Sequence, residues 1–198
     1  MEEKVNELDN QKMISICLIG SERVGKTTLL KIWSNEEFES VYLKTDEIIS
    51  KTLKVNHNNT TLEVTIWDCS GDEFKNTRGT VDSYVSNGPI HIFVISQSDK
   101  GSVVFLKGFI NSIFYRKSNP KRKYIIVTHC DEEDCTEGLI DEITQTLHSK
   151  RYNVCCEEIE KIKSILNEIV IEYANEFLPK PELDSIQTPS KKSCCFLF

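Results

Sequence analysis

Residues 20–27 read GSERVGKT and match the pattern GxxxxGK[ST], which indicates a phosphate-binding loop where a strand precedes it and a helix follows it. An apolar run of strand length ends at Ile19 just before this motif, and residues 27–33 have helical spacing. Between a strand and a helix, the backbone N–H groups of such a loop can surround a phosphate at the helix N-terminus. Lys26 is then placed to reach the β and γ oxygens, and the Thr27 hydroxyl can hold Mg²⁺. The motif therefore predicts a phosphate-binding loop in an α/β fold.

Short apolar runs alternate with longer stretches of helical spacing along the rest of the chain. The apolar runs are residues 14–19, 62–67, 90–95 and 124–128, and the helical stretches are residues 27–33, 103–115, 139–148 and 157–177. This alternation is typical of βαβ units around a parallel sheet. The polar residues 56–59, between residues 51–55 and 62–67, indicate a hairpin and one antiparallel edge strand. We predict an α/β doubly wound, mainly parallel six-stranded sheet with its ligand at the carboxyl ends of the strands.

Length and composition constrain the number of domains and the possible partners. The 198 residues suffice for one core, and a net charge of −7 with a pI near 5.2 argues against binding of nucleic acid or anionic lipid by the body. We expect a polar extension over residues 1–12, a folded domain over residues 13–178 and a flexible tail with three prolines over residues 179–198. No run reaches the roughly 18 apolar residues of a membrane span. The eight cysteines are expected to be reduced thiols, since residues 1–11 lack the apolar stretch of a secretory signal.

A second motif lies at the end of the second apolar run. Residues 64–71 read VTIWDCSG, a strand that ends in Asp68 with a glycine three residues later. Asp68 can meet Mg²⁺ through water, and the amide of Gly71 can contact a γ-phosphate. A carboxylate at the end of a strand is also a common helix cap, and the sequence leaves that alternative open.

From about residue 13 to residue 177, the order and spacing of these motifs resemble those of Ras-like small GTPases. Thr45, nineteen residues after Lys26, is similar to the switch I threonine that closes onto Mg²⁺ and the γ-phosphate, and Tyr42 resembles the switch tyrosine. Phe38 lies where that family packs an aromatic ring on guanine, although an aromatic here can also belong to the core. The resemblance implies the P-loop NTPase fold of small G proteins, with GTP/GDP and Mg²⁺ as ligands and two switch segments that order around the γ-phosphate.

Residues 124–131, YIIVTHCD, resemble the guanine-specificity strand of the same family. Asp131 would accept hydrogen bonds from the ring N–H and the exocyclic amine of guanine, a pair of donors that adenine lacks. Two departures remove contacts to the base. His129 replaces the lysine whose aliphatic stem covers the ring, and residues 154–157, VCCE, replace the Ser-Ala-Lys loop. We therefore predict guanine specificity with a faster release of GDP than is usual in the family.

The motifs and the resemblance together assign three groups of residues to the site. Nucleotide contacts are expected from Gly20, Ser21, Glu22, Arg23, Val24, Gly25, Lys26, Thr27, Thr28, Phe38, Tyr42, Thr45, Asp68, Gly71, Thr128, His129, Asp131, Cys155 and Cys156. Metal contacts are expected from Thr27, Thr45 and Asp68. A role in GTP hydrolysis is expected for Lys26, Thr45, Gly71 and Asp72.

Two positions differ from the family's pattern for GTP hydrolysis. Asp72 lies where the family has a glutamine that orients the attacking water, and Glu22 lies where the P-loop usually has a small residue. Arg23 is either an arginine that acts in cis or a plain solvent-exposed charge. We therefore predict a weak GTP hydrolase. The alternative is a pseudo-GTPase that holds GTP with negligible hydrolysis and acts as a membrane scaffold.

Within the superfamily, the Rab branch is the most similar. Residues 65–68, TIWD, and residues 83–84, SY, resemble its switch region, whereas residues 46–50, DEIIS, lack its signature after the switch threonine. The resemblance is thus to a divergent Rab, and Rho-like or Ras-like signalling GTPases are the alternatives. It implies vesicle or membrane trafficking, with effector proteins, an exchange factor and a GTPase-activating protein as partners.

Residues 195–198 read CFLF and match a CaaX prenylation signal, and Cys194 next to Cys195 offers a second lipid site. One lipid chain binds membranes only marginally, and Lys191 and Lys192 are too few for a strong basic signal. We therefore expect two lipids and recognition by the prenylation machinery. The expected location is the cytoplasmic face of intracellular membranes, in exchange with the cytosol.

Two further hypotheses are weaker. An ATP-dependent kinase with the same P-loop is disfavoured by Asp131 and by residues 68–71. A zinc cluster lacks the paired spacings that zinc sites have, and its candidate ligands are His129, Cys130, Cys135, Cys155 and Cys156.

Overall fold

Strands and helices alternate through the computed structural model, which describes residues 13–37, 48–69, 85, 88–112, 118, 120–136 and 138–179. Within these residues the elements are β1 (Met13–Ile19), α1 (Lys26–Trp33), β2 (Ile49–His57), β3 (Thr60–Asp68), β4 (Ile90–Ser96), α2 (Lys100–Asn111), β5 (Arg122–Thr128), α3 (Leu139–Leu147), β6 (Lys150–Asn153) and α4 (Ile159–Phe177).

The strands form one six-stranded sheet in the order β2-β3-β1-β4-β5-β6. β1 lies between β3 and β4 and is parallel to both, and β4, β5 and β6 continue the parallel arrangement. Only β2, at one edge, pairs antiparallel within the described sheet. The prediction of a doubly wound, mainly parallel sheet with one antiparallel edge strand is confirmed. The sheet order reverses at β1, so the crevice beyond its carboxyl end is where such folds bind ligands.

The hairpin between β2 and β3 has a two-residue turn, Asn58 and Asn59, with φ angles of 47° and 60°. Both central residues are left-handed, as a type I′ turn requires, and asparagine tolerates this conformation better than most residues. The turn is shorter than the four polar residues suggested, because Asn56 and His57 still pair with Thr61 and Thr60.

Side chains of the sheet are buried on both faces, in two layers of helices. Ile14, Ile16 and Leu18 of β1 belong to the layer that contains α1 and α4. Cys17 and Ile19, which alternate with them, belong to the layer that contains α2 and α3. Every residue of β4 is buried, as expected for a central parallel strand. The covered faces leave the loops at the strand ends as the accessible surface for a ligand.

Two elements differ from the sequence expectation. α2 begins at Lys100 rather than near Val103, because Asp99 caps it by accepting from the Gly101 amide at 2.8 Å. β6 is a short, largely exposed strand without an apolar run. It is stabilised by pairing with β5 and by Lys150, which forms ion pairs with Glu168 and Glu172 of α4.

Candidate functional site

The loop from Gly20 to α1 is shaped by close packing and by left-handed backbone. A Cβ at Gly20 would lie 2.4 Å from the Val94 carbonyl oxygen and 2.9 Å from Val24 Cγ2, so only glycine fits without a shift. Arg23 and Gly25 have φ angles of 61° and 87°. Gly25 is the N-cap of α1 and has no side chain that could bond to the first turn. That turn also contains no acidic residue. The N–H groups at this helix start therefore suit an anion.

Lys26 is almost fully buried and folds back over the loop. Its Nζ donates to the carbonyl oxygens of Gly20 at 3.0 Å and Ser21 at 2.7 Å. Burial lowers the pKa of Lys26, and the Asp68 carboxylate partly offsets that effect. A buried ammonium held by two neutral carbonyls is prepared to pair with phosphate oxygens, which carry full charge.

Thr27 and Asp68 join the loop to the end of β3. Thr27 Oγ1 donates to Asp68 Oδ2 at 2.5 Å, and the other carboxylate oxygen, Oδ1, is buried with no hydrogen-bond partner among the described residues. Burial raises the pKa of Asp68, whereas the Thr27 bond and the Lys26 charge lower it. A hydroxyl oxygen beside a carboxylate oxygen is the donor set that Mg²⁺ prefers. The residues therefore fit a magnesium ion, and the described bond of Asp68 goes to a side chain rather than to a helix start.

Thr128, at the end of β5, connects the phosphate loop with the loop that follows β5. Its Oγ1 lies 3.0 Å from the Val24 carbonyl oxygen, 3.1 Å from that of Ile95 and 3.0 Å from His129 Nδ1. Since a hydroxyl carries one proton, all three contacts cannot be donations from it. Thr128 can therefore donate to one of the two carbonyl oxygens at a time, while His129 Nδ1–H donates to Thr128 Oγ1. His129, with a φ of 53°, is thus tied to the phosphate loop through one side chain, a link that the sequence did not indicate.

The loops after β5 and β6 lie side by side. The Val154 amide donates to the Val127 carbonyl at 2.8 Å, and the exposed Asp131 lies near Cys156. The pKa of Cys156 is raised by partial burial and by the Asp131 charge, which favours the neutral thiol. These contacts bring together the two segments expected to flank guanine.

Glu158, which the sequence did not single out, shapes the second of these loops. Its Oε2 accepts from the Cys155 amide at 3.0 Å, and Lys161 binds the same carboxylate. The Lys161 bond is the main reason that the pKa of Glu158 is lowered, followed by the Cys155 amide. An acidic residue directly before a helix was the available signal.

The structure thus gathers most of the expected site at the carboxyl ends of β1, β3, β5 and β6. Residues 20–28, Asp68, Thr128, His129, Asp131, Cys155 and Cys156 are described there. The other expected site residues lie outside the described residues: Phe38, Tyr42, Thr45, Gly71, Asp72, Cys194 and Cys195.

The cysteines and the acidic and histidine side chains of the described part bear on the zinc hypothesis. Its six cysteines are free thiols, and it contains no group of three or more His, Cys, Asp or Glu placed to hold a metal. The zinc hypothesis therefore has no ligand set among the residues described. None of the helices seen in that part is long and apolar enough to cross a bilayer.

Comparison with known proteins identifies similar sequences. The family model described as "Ras of Complex, Roc, domain of DAPkinase" matches residues 15–131. The chain is 27% identical to GTP-binding protein yptV2 of Volvox carteri, over 94% of this chain and 96% of that protein. It is 27% identical to Ras-related protein RIC1 of Oryza sativa subsp. japonica and 26% identical to GTP-binding protein YPT1 of Saccharomyces cerevisiae. These two matches cover 60% and 62% of this chain and 58% of each relative.

Proposed function

Because the chain belongs to the Ras-like GTPase superfamily, as a divergent Rab-like member, we propose that it is a switch controlled by guanine nucleotide. The observation that carries the proposal is the partly buried contact of Thr27 with the buried Asp68, beside the buried Lys26, which provides one cation and one incompletely bonded carboxylate for a metal–phosphate ligand. The relatives named as GTP-binding or Ras-related proteins support the same reading.

Each expected site residue has a distinct task in this proposal. The loop amides and the α1 N-terminus bind the phosphates, and Lys26 pairs with their charge. Thr27 and Asp68 would hold Mg²⁺, which when bound neutralises part of the phosphate charge. Asp131 would select guanine, with His129, Cys155 and Cys156 beside the ring. Thr45 and Gly71 would sense the γ-phosphate, and Phe38 and Tyr42 would cover the nucleotide.

Base selection provides the first test, by titration of fluorescent GDP and ADP analogues in excess Mg²⁺. We expect Asp131→Asn to weaken GDP binding at least about a hundredfold, because two charge-assisted hydrogen bonds are lost and an amide donor faces the guanine donors. Glu132→Gln, a charge change at the adjacent exposed residue, is the matched control and should leave the affinity unchanged. Equal affinity of the wild-type protein for ADP and GDP would contradict the proposal.

Hydrolysis in this proposal is slow. Asp72 replaces the water-orienting glutamine, and Glu22 adds a carboxylate in the phosphate loop. The same two residues favour the second candidate function, a GTP-holding membrane scaffold with negligible hydrolysis. Single-turnover hydrolysis of bound GTP separates the two, since a switch requires turnover, by itself or with an activating protein, and the scaffold requires none.

The proposed place of action is a membrane of the trafficking system, in line with the similarity to the Ypt relatives. Lipids at Cys194 and Cys195 would provide attachment, with effectors and regulators as protein partners. We expect Cys194→Ser combined with Cys195→Ser to move the protein from the membrane to the soluble fraction of cells. Cys135→Ser, at an exposed cysteine of the folded part, is the control. Retention of the double variant on membranes at the wild-type level would contradict lipid attachment.

A further inference from the structure

His91 is a polar side chain in the middle of an apolar layer. It lies on β4 between Cys17 of β1 and Lys123 of β5, and it is 0% exposed. Its ring packs edge-on against Phe93, at 6.2 Å between centroids and an interplanar angle of 87°. Burial lowers the pKa of His91 to about 4, so the ring is neutral at physiological pH. A polar group in such a place costs stability unless it forms a specific bond.

That bond runs to Val85. His91 Nε2 lies 2.8 Å from the Val85 carbonyl oxygen, and because a carbonyl only accepts, Nε2 carries the proton and donates. The Val85 side chain is also 0% exposed and packs in the same layer as Phe93 and Cys69. Val85 is therefore attached to the sheet through both its backbone and its side chain.

Val85 and Cys69 bound the segment that contains Gly71 and Asp72. Cys69 directly follows β3 and is 0% exposed, and Val85 is held by His91. Residues 70–84 are thus bounded on each side by a residue buried in one common layer. If residues 70–84 rearrange with the state of the nucleotide, the change is confined between Cys69 and Val85 as long as both residues keep their positions.

From this geometry we infer that His91 is a positioning residue, which anchors Val85 to β4 and sets the carboxyl-terminal limit of the nucleotide-responsive segment. The inference rests on the proposed function for the meaning of that segment, and on the described contacts for the anchor. Without the hydrogen bond from His91 to Val85, the nucleotide-dependent change should extend beyond Val85 and displace Asp72. Nucleotide binding itself should not be weakened. A histidine that only fills the core would affect overall stability and nothing at this boundary.

The test is hydrogen–deuterium exchange with mass spectrometry on the full chain, loaded with GDP or with guanosine 5′-(β,γ-imido)triphosphate. His91→Leu removes the donor. His91→Gln places an amide N–H close to the position of Nε2 and should keep the bond. His91→Asn is as polar as glutamine but too short to reach Val85. The glutamine and asparagine variants therefore form a pair matched in polarity, which remains informative if the leucine variant fails to fold.

We expect the amides of residues 85–90, apart from Pro89, which has no N–H, to exchange at least about tenfold faster in the leucine and asparagine variants than in the wild-type protein, in both loaded states. The glutamine variant should retain wild-type protection, and all variants that fold should keep the wild-type affinity for GDP. Single-turnover hydrolysis should fall with loss of the anchor. Wild-type protection of residues 85–90 in the asparagine variant, or equal loss in the glutamine and asparagine variants, would overturn the inference. Absence of any difference between the loaded states at residues 70–84 of the wild-type protein would instead contradict the proposed switch.

Discussion

His91, Lys26 and Asp68 are three ionisable side chains that the fold buries. The neutral His91 donates to one carbonyl, whereas Lys26 and Asp68 lie at the phosphate loop, where a bound metal and phosphate would complete their bonding. The state of His91 therefore affects the stability of the folded core, whereas Lys26 and Asp68 are arranged for a ligand.

His91 predicts a specific dependence of stability on pH. Its pKa falls from 6.5 to about 4 on folding, so the unfolded chain binds a proton in this interval that the folded chain does not. The associated stability is present above pH 6.5 and is lost as the pH falls through about 4, by on the order of 3 kcal/mol. Urea unfolding between pH 7 and pH 4 should show a smaller acid loss for His91→Gln than for the wild-type protein. His57→Gln, at a less buried histidine, is the control, and parallel pH profiles for all three proteins would refute this assignment.

Gly20 and Gly108 offer a second prediction, in which the same substitution has opposite effects. Gly20→Ala should lower the free energy of unfolding by about 1–3 kcal/mol, because its Cβ would overlap the Val94 carbonyl. Gly108→Ala, in α2 with nothing within 4 Å of the added Cβ, should raise it by about 0.5–1 kcal/mol through helix propensity. Denaturant titration at saturating GDP and Mg²⁺ measures both. Equal effects of the two substitutions would mean that the phosphate-binding loop at Gly20 can move away from β4 at little cost in free energy.

At the level of elements, the β2–β3 hairpin depends on its left-handed turn. Asn59→Gly should raise the free energy of unfolding by up to about 1 kcal/mol, because glycine adopts the φ of 60° without steric cost. Asn59→Val should lower it by about 1–2 kcal/mol, since a β-branched residue strains that conformation. Asn56→Gly, within the paired strand, is the control and should be destabilising. A glycine at residue 59 that destabilises as much as one at residue 56 would refute the type I′ turn.

Elements with a local signal were predictable from the sequence, and those that depend on distant contacts were not. Five strands follow from apolar runs or from the hairpin pattern, and residues 20–27 follow from the motif itself. β6 has no apolar run, because pairing with β5 and ion pairs from Lys150 to α4 stabilise it. α2 was predicted to begin too late, since Asp99 is a polar cap outside the apolar periodicity.

The candidate site also combines contacts that the sequence predicts with contacts that it does not. Lys26, Thr27 and Asp68 were expected to meet, because motif and strand end converge at one edge of a parallel sheet. The contact of Thr128 with Val24 joins residues far apart in the chain, and the bond of His91 to Val85 arises only when β4 packs on its neighbours. Neither leaves a pattern in the sequence. The expectations for Thr45, Gly71 and Asp72 stay predictions, because these residues lie outside those described.

At the scale of the whole molecule, binding and hydrolysis are expected to depend on different residues. The described groups proposed to bind phosphate, metal and base lie at the carboxyl ends of β1, β3, β5 and β6, and the sheet holds them in one layer of loops. The two departures from the family pattern, Glu22 and Asp72, bear on the attacking water and on the charge at the γ-phosphate. A protein of this kind would bind GTP with the framework intact and turn it over slowly.

The last prediction is therefore that Asp72→Gln combined with Glu22→Gly raises the rate of single-turnover GTP hydrolysis at least about tenfold, or roughly 1.4 kcal/mol of barrier. A glutamine amide can donate to the γ-phosphate while it accepts from water, whereas an ionised aspartate only accepts and is shorter by one methylene. Removal of the Glu22 carboxylate also lessens repulsion of a phosphate that gains charge in the transition state, and admits an arginine from an activating protein. Asp72→Asn with Glu22→Gly is the control that removes the same charges without restoring reach, and it should recover only part of the increase. A wild-type rate that neither double substitution changes would mean that this protein positions water by groups other than residue 72.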